Sequence, residues 1–242
     1  MINRKPKILP TDDEQQNRQI TEACNTTKKA LLDTIYMLAL AAEYRDTGTG
    51  VHTRRISHFA VAVARSLKLD EDTIENIFYA APLHDVGKIG IPDEILMKPA
   101  KLSPDEWEIM KKHSAIGTKM LEISDAEYMK LAQVIALTHH EKWDGSGYPS
   151  GLKGESIPIA GRITAVIDVF DALISERPYK RPMPVENALS IIKNGSGSHF
   201  DPKVVDAFFA IKDEILSIKR KFDHKHKGEW LPAKLDTIRR KG

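Results

Sequence analysis

The chain has 242 residues, 41% of them hydrophobic and 29% charged, with a formal net charge of +2. That length can bury a sizeable core as one domain, and so small a net charge gives no global sign of a nucleic-acid polymer or an anionic membrane as partner. Cys24 is the only cysteine, which excludes an internal disulfide and any thiolate metal site.

Residues 1–19 are polar, include Pro6 and Pro10, and read as a tail or a linker. They contain no apolar stretch of the signal-peptide kind. From Ile20 to Asp46 the pattern is helical, with Leu31, Ile35, Leu38 and Ala42 on one face. The longest apolar stretch, Ile35 to Ala42, is too short to span a bilayer, so a cytoplasmic protein is expected. Val51 to Leu67 is a second helix with Ile56, Phe59, Ala60 and Val63 inward, and Asp70 caps a third that runs to His84. Gly87 and Gly90 break the chain before Pro92. Ser103-Pro104-Asp105-Glu106 is a helix start, with serine at the cap, proline in the first position and glutamate in the third; that helix carries His113.

A further helix spans about Ala126 to His140, followed by a glycine-rich loop from Asp144 to Ser156. Ile159 to Ile174 is strongly apolar but carries Asp168 and Asp171. Pro184 opens another helix, and Pro202 the last, about Asp201 to Arg220. Residues 221–242 form a basic tail, which reads as a solvated helix end. No segment alternates with the period of a strand, so the fold class is an all-α bundle over residues 20–220 with functional loops.

The polar residues inside this apolar pattern carry the chemistry. His84-Asp85 and His139-His140 sit at the ends of the apolar stretches IFYAAPL and LAQVIAL, and Asp168 lies among Ile163, Val166, Ile167 and Phe170. Burying such groups is costly unless something binds them. A lone histidine on a helix is usually a core or surface residue, and His58, His199, His224 and His226 are read that way. The alternative for Asp168 is a buried ion pair with Arg162 or Lys88. Adjacent helical residues point about 100° apart, so both members of a pair face inward only near a helix end. With His52 and His113 the set reaches seven oxygen and nitrogen donors, too many for one structural zinc. It suits two ions about 3.5–4 Å apart with a bridging water, an arrangement used for phosphoester hydrolysis. The softness of these donors favours iron, manganese, zinc, cobalt or nickel over magnesium or calcium, without choosing among them.

At these residues the chain resembles the HD-GYP domains, a branch of the HD phosphohydrolase superfamily that hydrolyses cyclic dinucleotides, chiefly cyclic di-GMP. The likeness runs from about Ala42 to Pro202. Its pieces are Glu43-Tyr44-Arg45-Asp46, His52 with Arg55, the segment from His84 to Asp93, Lys98 with Leu102, and His113. They continue with the stretch from His139 to Pro149, Gly161-Arg162-Ile163, Asp168 with Asp171-Ala172, Arg177-Pro178-Tyr179-Lys180, and Phe200-Asp201-Pro202.

The resemblance implies an HD-superfamily helical bundle. It implies one metal held by His52, His84, Asp85 and Asp168, and a second held by His113, His139 and His140, with Asp85 bridging. It implies Asp85, Lys88 and Asp171 as catalytic residues, the latter two just outside the metals. Arg177 and Lys180 would grip substrate phosphates, and Tyr148 would line the nucleotide pocket. Relatives with a third metal carry a glutamate where this chain has Gly48, so two ions are expected.

The activity implied is hydrolysis of cyclic di-GMP to pGpG, and on to GMP if a second cleavage follows, through a bridging hydroxide. Alternatives are a low-turnover cyclic dinucleotide receptor or signalling module, and a phosphodiesterase for cyclic GMP-AMP. A diguanylate cyclase, a sensor or receiver domain, and a second copy of the chain are the partners considered.

Overall fold

The computed structural model describes residues 12–43, 51–175 and 182–225. Among them the elements are helical: α1 (Asp12–Glu43), α2 (Val51–Ser66), α3 (Glu71–Ala80), α4 (Asp93–Leu96), α5 (Pro104–Lys111), α6 (His113–Leu121), α7 (Glu127–Thr138), α8 (Ile159–Ile174), α9 (Val185–Asn194), α10 (Pro202–Ala210) and α11 (Lys212–Lys225). Short 3-10 turns lie at Ala81–Leu83, Val86–Gly90 and Gly154–Ser156. Ile35–Leu231 forms one compact unit and carries everything discussed below. The other unit, Met1–Thr34 with Pro232–Gly242, contributes only a helical stretch to the described residues.

The core lies where α2, α3, α7 and α8 meet. Phe59, Phe78, Phe170 and Phe208 are buried with Ile56, Ile77, Ile135 and Ile163. The ring of Phe170 lies 6.3 Å from Phe59 and 5.0 Å from Phe208, so α8 is wedged between α2 and α10 by aromatic packing. Each such side chain contributes about 1.5–3 kcal/mol relative to exposure. A smaller cluster of Ile91, Ile95 and Leu96 packs with Leu102, Ile109, Met110 and Ile116. It anchors the surface helix α5 to the turn that follows His84-Asp85.

The local signals explain most boundaries. Asp70 caps α3 through Thr73 N at 2.8 Å. Ser103 and Glu106 form the reciprocal capping box at the start of α5. α8 has the bounds its apolar run indicates. Four boundaries differ. α1 begins at Asp12, inside the stretch expected as a polar tail. α3 gives way to a 3-10 turn at Ala81–Leu83, where Pro82 cannot continue an α-helix hydrogen-bond ladder. The helix starting at Ser103 ends at Lys111, and His113 opens a separate helix. The last helix is two, broken at Ile211, whose φ of −116° and ψ of 20° leave the helical region.

Candidate metal centre

Seven side chains from five parts of the chain converge at one end of this core. The ligand atoms form two groups: His52, His84 and Asp168, and Asp85, His113, His139 and His140. Within each group they lie within 4.8 Å of one another. All seven residues singled out in the sequence are therefore brought together.

The two carboxylates link the groups. Asp168 Oδ1 lies 3.4 Å from His52 Nε2 and 3.8 Å from His84 Nε2. Asp85 Oδ2 lies 3.5 Å from His84 Nε2, while Asp85 Oδ1 lies 3.4 Å from His113 Nε2 and 3.6 Å from His139 Nε2. Asp85 thus turns one oxygen to each group. Its backbone, φ −103° and ψ 9°, occupies the sparsely populated bridge region where active-site residues are often found.

Four imidazoles are held by their other nitrogen. His84 Nδ1 donates to Ala81 O (2.9 Å), His113 Nδ1 to Met110 O (2.8 Å), and His139 Nδ1 to Ile135 O and Ala136 O (3.0 and 3.1 Å). A carbonyl oxygen only accepts, so Nδ1 carries the proton and Nε2 presents a lone pair to the centre. His52 Nδ1 instead faces Asp171 Oδ2 at 2.7 Å. Asp171 is fully buried and receives Arg55 through Nε at 2.6 Å and a second guanidinium nitrogen at 2.8 Å. Arg55 also donates to Ser175 Oγ. Asp171 therefore meets the cluster through His52.

The electrostatics suit metal ligands. Burial pushes His84, His113 and His140 below the ordinary imidazole value, and the opposing charge of Asp85 does not offset it. His113 falls to about 4. These rings are neutral at neutral pH, the form that binds a metal. Burial also disfavours charge on His52, but Asp171 and then Asp168 outweigh it and raise the ring. Burial would raise Asp85; Lys88 and His84 outweigh that and hold it well below the usual carboxylate range. Buried His84 Nε2, His139 Nε2 and Asp85 Oδ1 have no hydrogen-bond partner among the described residues. Buried polar atoms left this way are costly, and three aimed into one cluster are what a bound cation would satisfy. The residues present fit a metal centre.

Close backbone approach makes the convergence attainable. A methyl group at Gly87 would overlap His113 O and Gly117 N, so only glycine lets the turn after Asp85 lie against α6. The segment 141–158 folds back over the site. Tyr148 N donates to His140 O at 3.2 Å, and the Tyr148 ring stacks on His140 with centroids 4.7 Å apart. Buried Glu141 receives Ser150 N at 2.7 Å and Leu152 N at 3.0 Å. A side chain at Gly147 would meet the backbone of Glu141 and Lys142. Trp143 N and Asp144 N bond to His199 O and Ser198 O, fixing the loop to the segment before α10.

Lys88 Nζ sits 2.8 Å from Asp85 Oδ2, at the edge of the cluster. Arg162 reaches Asp201 at 2.6 Å and Ile157 O at 2.7 Å. The two cations considered as partners of Asp168 thus pair with other carboxylates. Glu43 accepts a hydrogen bond from Thr53 Oγ1. Arg177, Lys180 and Gly48 lie outside the described residues. The outer support by Arg55, the loop anchor Glu141 and the contact residue Gly117 received no role from the sequence. The first two carried a signal in being charged residues beside ligands; Gly117 carried none.

A family model described as HD domain matches residues 37–204. The chain belongs to the HD-domain family. The family and the His/Asp cluster together point to metal binding. A Thermotoga maritima protein named cyclic di-GMP phosphodiesterase is 48% identical over 191 residues, 79% of this chain and 52% of that one. The Xanthomonas campestris cyclic di-GMP phosphodiesterase response regulator RpfG is 44% identical, covering 85% of this chain and 54% of its own. A Vibrio cholerae 3'3'-cGAMP-specific phosphodiesterase is 46% identical over 76% of this chain and 35% of its own. The chain spans about half the length of the first curated relatives it matches. Two solved structures share the fold at 20% identity. A cyclic GMP-AMP specific phosphodiesterase from Vibrio cholerae gives a TM-score of 0.59, over 80% of this chain and 53% of that one. An HDG"Y"P protein from Bdellovibrio bacteriovorus gives 0.54, over 79% and 64%. The HD-GYP resemblance and the all-α fold class drawn from the sequence both hold. No helix among the described residues is long and apolar enough to cross a membrane.

Proposed function

We propose that this chain is a metal-dependent phosphodiesterase that hydrolyses cyclic di-GMP to linear pGpG, with GMP as the product of a second cleavage. The observation that carries this reading is the convergence of seven imidazole and carboxylate residues, with buried unshared lone pairs, into two groups joined by Asp85. The relatives whose names specify cyclic di-GMP support the substrate.

In this reading His52, His84 and Asp168 hold one transition-metal ion, His113, His139 and His140 hold a second, and Asp85 is shared. Iron or manganese fits the donor set, with zinc, cobalt or nickel as alternatives. Bound there, the ions supply Lewis acidity toward a phosphoryl oxygen and lower the pKa of water. Hydrolysis joins a water oxygen to phosphorus and breaks the bond to the 3′ oxygen, which leaves with a proton. Lys88 places an ammonium beside Asp85, where it neutralises phosphoryl charge or protonates the leaving oxygen. Asp171 and Arg55 hold the His52 ring in one orientation. Tyr148 and the segment pinned by Glu141 wall the site. Arg177 and Lys180 are the proposed grip on the substrate phosphates.

The likeness to the Vibrio cholerae cGAMP-specific relative favours a second reading, the same chemistry on cyclic GMP-AMP. The test is product analysis with both cyclic dinucleotides, using protein loaded with Mn(II) or Fe(II) and the same protein after chelation. Formation of pGpG only in the loaded samples is expected. Binding of both dinucleotides with no turnover under any loading would contradict the proposal and leave the receptor reading.

A further inference from the structure

The catalytic reading leaves one aromatic side chain unused at the edge of the site. Trp107, on α5, is 45% exposed, although indole is among the side chains that gain most from burial. Its ring meets Tyr148 with centroids 5.9 Å apart and planes at 82°. Tyr148 stacks on His140, and the ring of His140 lies 3.9 Å from that of His139. The rings thus form a file from the buried ligands outward, and Trp107 is its outermost member.

The position of Trp107 is fixed even though nearly half its surface faces solvent. Ile109 and Met110 of the same helix pack on Ile91, Ile95 and Leu96. Ser103 caps the helix, and Lys98 holds Glu106 at 2.6 Å. The Tyr148 ring is engaged by His140 on one side and has the Lys111 ammonium 5.9 Å from its centroid. The indole is therefore the open aromatic surface next to the place where a phosphodiester would react. A nucleotide bound by its phosphate must put its base beyond the phosphate, and an indole on an anchored helix at a rim is suited to stack on it.

We propose that Trp107 is the platform on which a purine base of the cyclic dinucleotide stacks, so that it sets substrate affinity without entering the chemistry. This rests on the phosphodiesterase reading above. Stacking is tolerant of base identity, since every base offers a π face. Trp107 therefore serves guanine and adenine alike and does not choose between cyclic di-GMP and cyclic GMP-AMP.

The experiment is steady-state kinetics of the full, metal-loaded chain with cyclic di-GMP for wild type, Trp107→Ala and Trp107→Phe, with indole fluorescence followed during titration. Trp107→Ala should raise KM about tenfold with kcat within about twofold, and Trp107→Phe should recover most of the loss. Cyclic di-GMP should quench wild-type fluorescence, and the quench should disappear in Trp107→Phe although Trp143 and Trp230 remain. A wild-type enzyme that turns over cyclic di-GMP, with unchanged KM in Trp107→Ala and quenching retained in Trp107→Phe, would overturn the platform alone. A wild-type chain that neither binds nor hydrolyses a cyclic dinucleotide would overturn the platform together with the function it rests on.

Discussion

His52 and His113 both aim Nε2 at a carboxylate 3.4 Å away, but different things stand behind them. His113, like His84 and His139, is held by a carbonyl oxygen of the preceding turn of its own segment. His52 is held by Asp171 of α8, which is itself clamped by Arg55. The first kind of support forms whenever the local turn forms. The second exists only after α2 and α8 have packed together, and it places a carboxylate behind the ring, which raises the basicity of the ligand. The two halves of the centre therefore differ in what can disable them, and they should fail separately.

The largest expected effect comes from the residue the halves share. Asp85→Ala should remove both ions and lower turnover about a thousandfold or more while the helical circular dichroism persists. Elemental analysis beside activity measures this, and a variant that keeps a full complement of metal would show that Asp85 does not join the halves.

Asp171→Asn should break the symmetry. It weakens the support of His52 and leaves the Arg55 guanidinium with only the more distant Asp223, at 3.8 Å, as an ion-pair partner. Loss of one partner of a buried pair costs about 3–5 kcal/mol of stability, which urea unfolding would register. Metal affinity should fall about 10–100-fold for one ion only. Equal weakening of both ions would mean that the halves are not independently supported.

Lys88→Ala tests chemistry apart from ligation. Both ions should be retained and kcat should fall about a hundredfold or more, since the ammonium lies beside Asp85 and its proposed part is in the chemistry and not in ligation. Loss of metal in this variant would assign Lys88 a structural role. Glu141→Gln comes next. It exchanges a carboxylate that accepts from Ser150 N and Leu152 N for a neutral amide, at a cost of about 1.5–3 kcal/mol. KM should rise with metal content unchanged, because the loop carries Tyr148 and no ligand.

The smallest effect lies away from both halves. Lys98 holds the Glu106 carboxyl below its usual range, with help from the Ser103 N–H. A lowered carboxyl contributes above its unfolded value, about pH 4.3, and the contribution is lost as the pH falls below that. Lys98→Ala should therefore lower the unfolding temperature by no more than about 2 °C at pH 7, and the difference should vanish near pH 3. A difference that grew on acidification would contradict this sign.

The residues of the cluster were legible in the sequence as a set because most are polar residues at the end of an apolar run or on an apolar face, where only a partner makes them tolerable. The capping box at Ser103 and the span of α8 were legible for equally local reasons. The breaks at Lys112 and Ile211 were not, since neither position carries proline or glycine. Gly117 shows the same limit: nothing in the sequence marks it, and only the fold sets Gly87 against it. The partners of Arg162 and Lys88 also depend on the fold, and Asp168 proved to face His52 and His84. Trp107 carries no signal of its own in the sequence; only the placement of α5 sets it beside Tyr148.

The most direct test of two separately supported halves joined at Asp85 is the metal content of the full chain purified without oxygen, measured by elemental analysis against protein concentration. Two transition-metal ions per chain is the predicted result; a single ion, or a third retained as tightly as the other two, would contradict it.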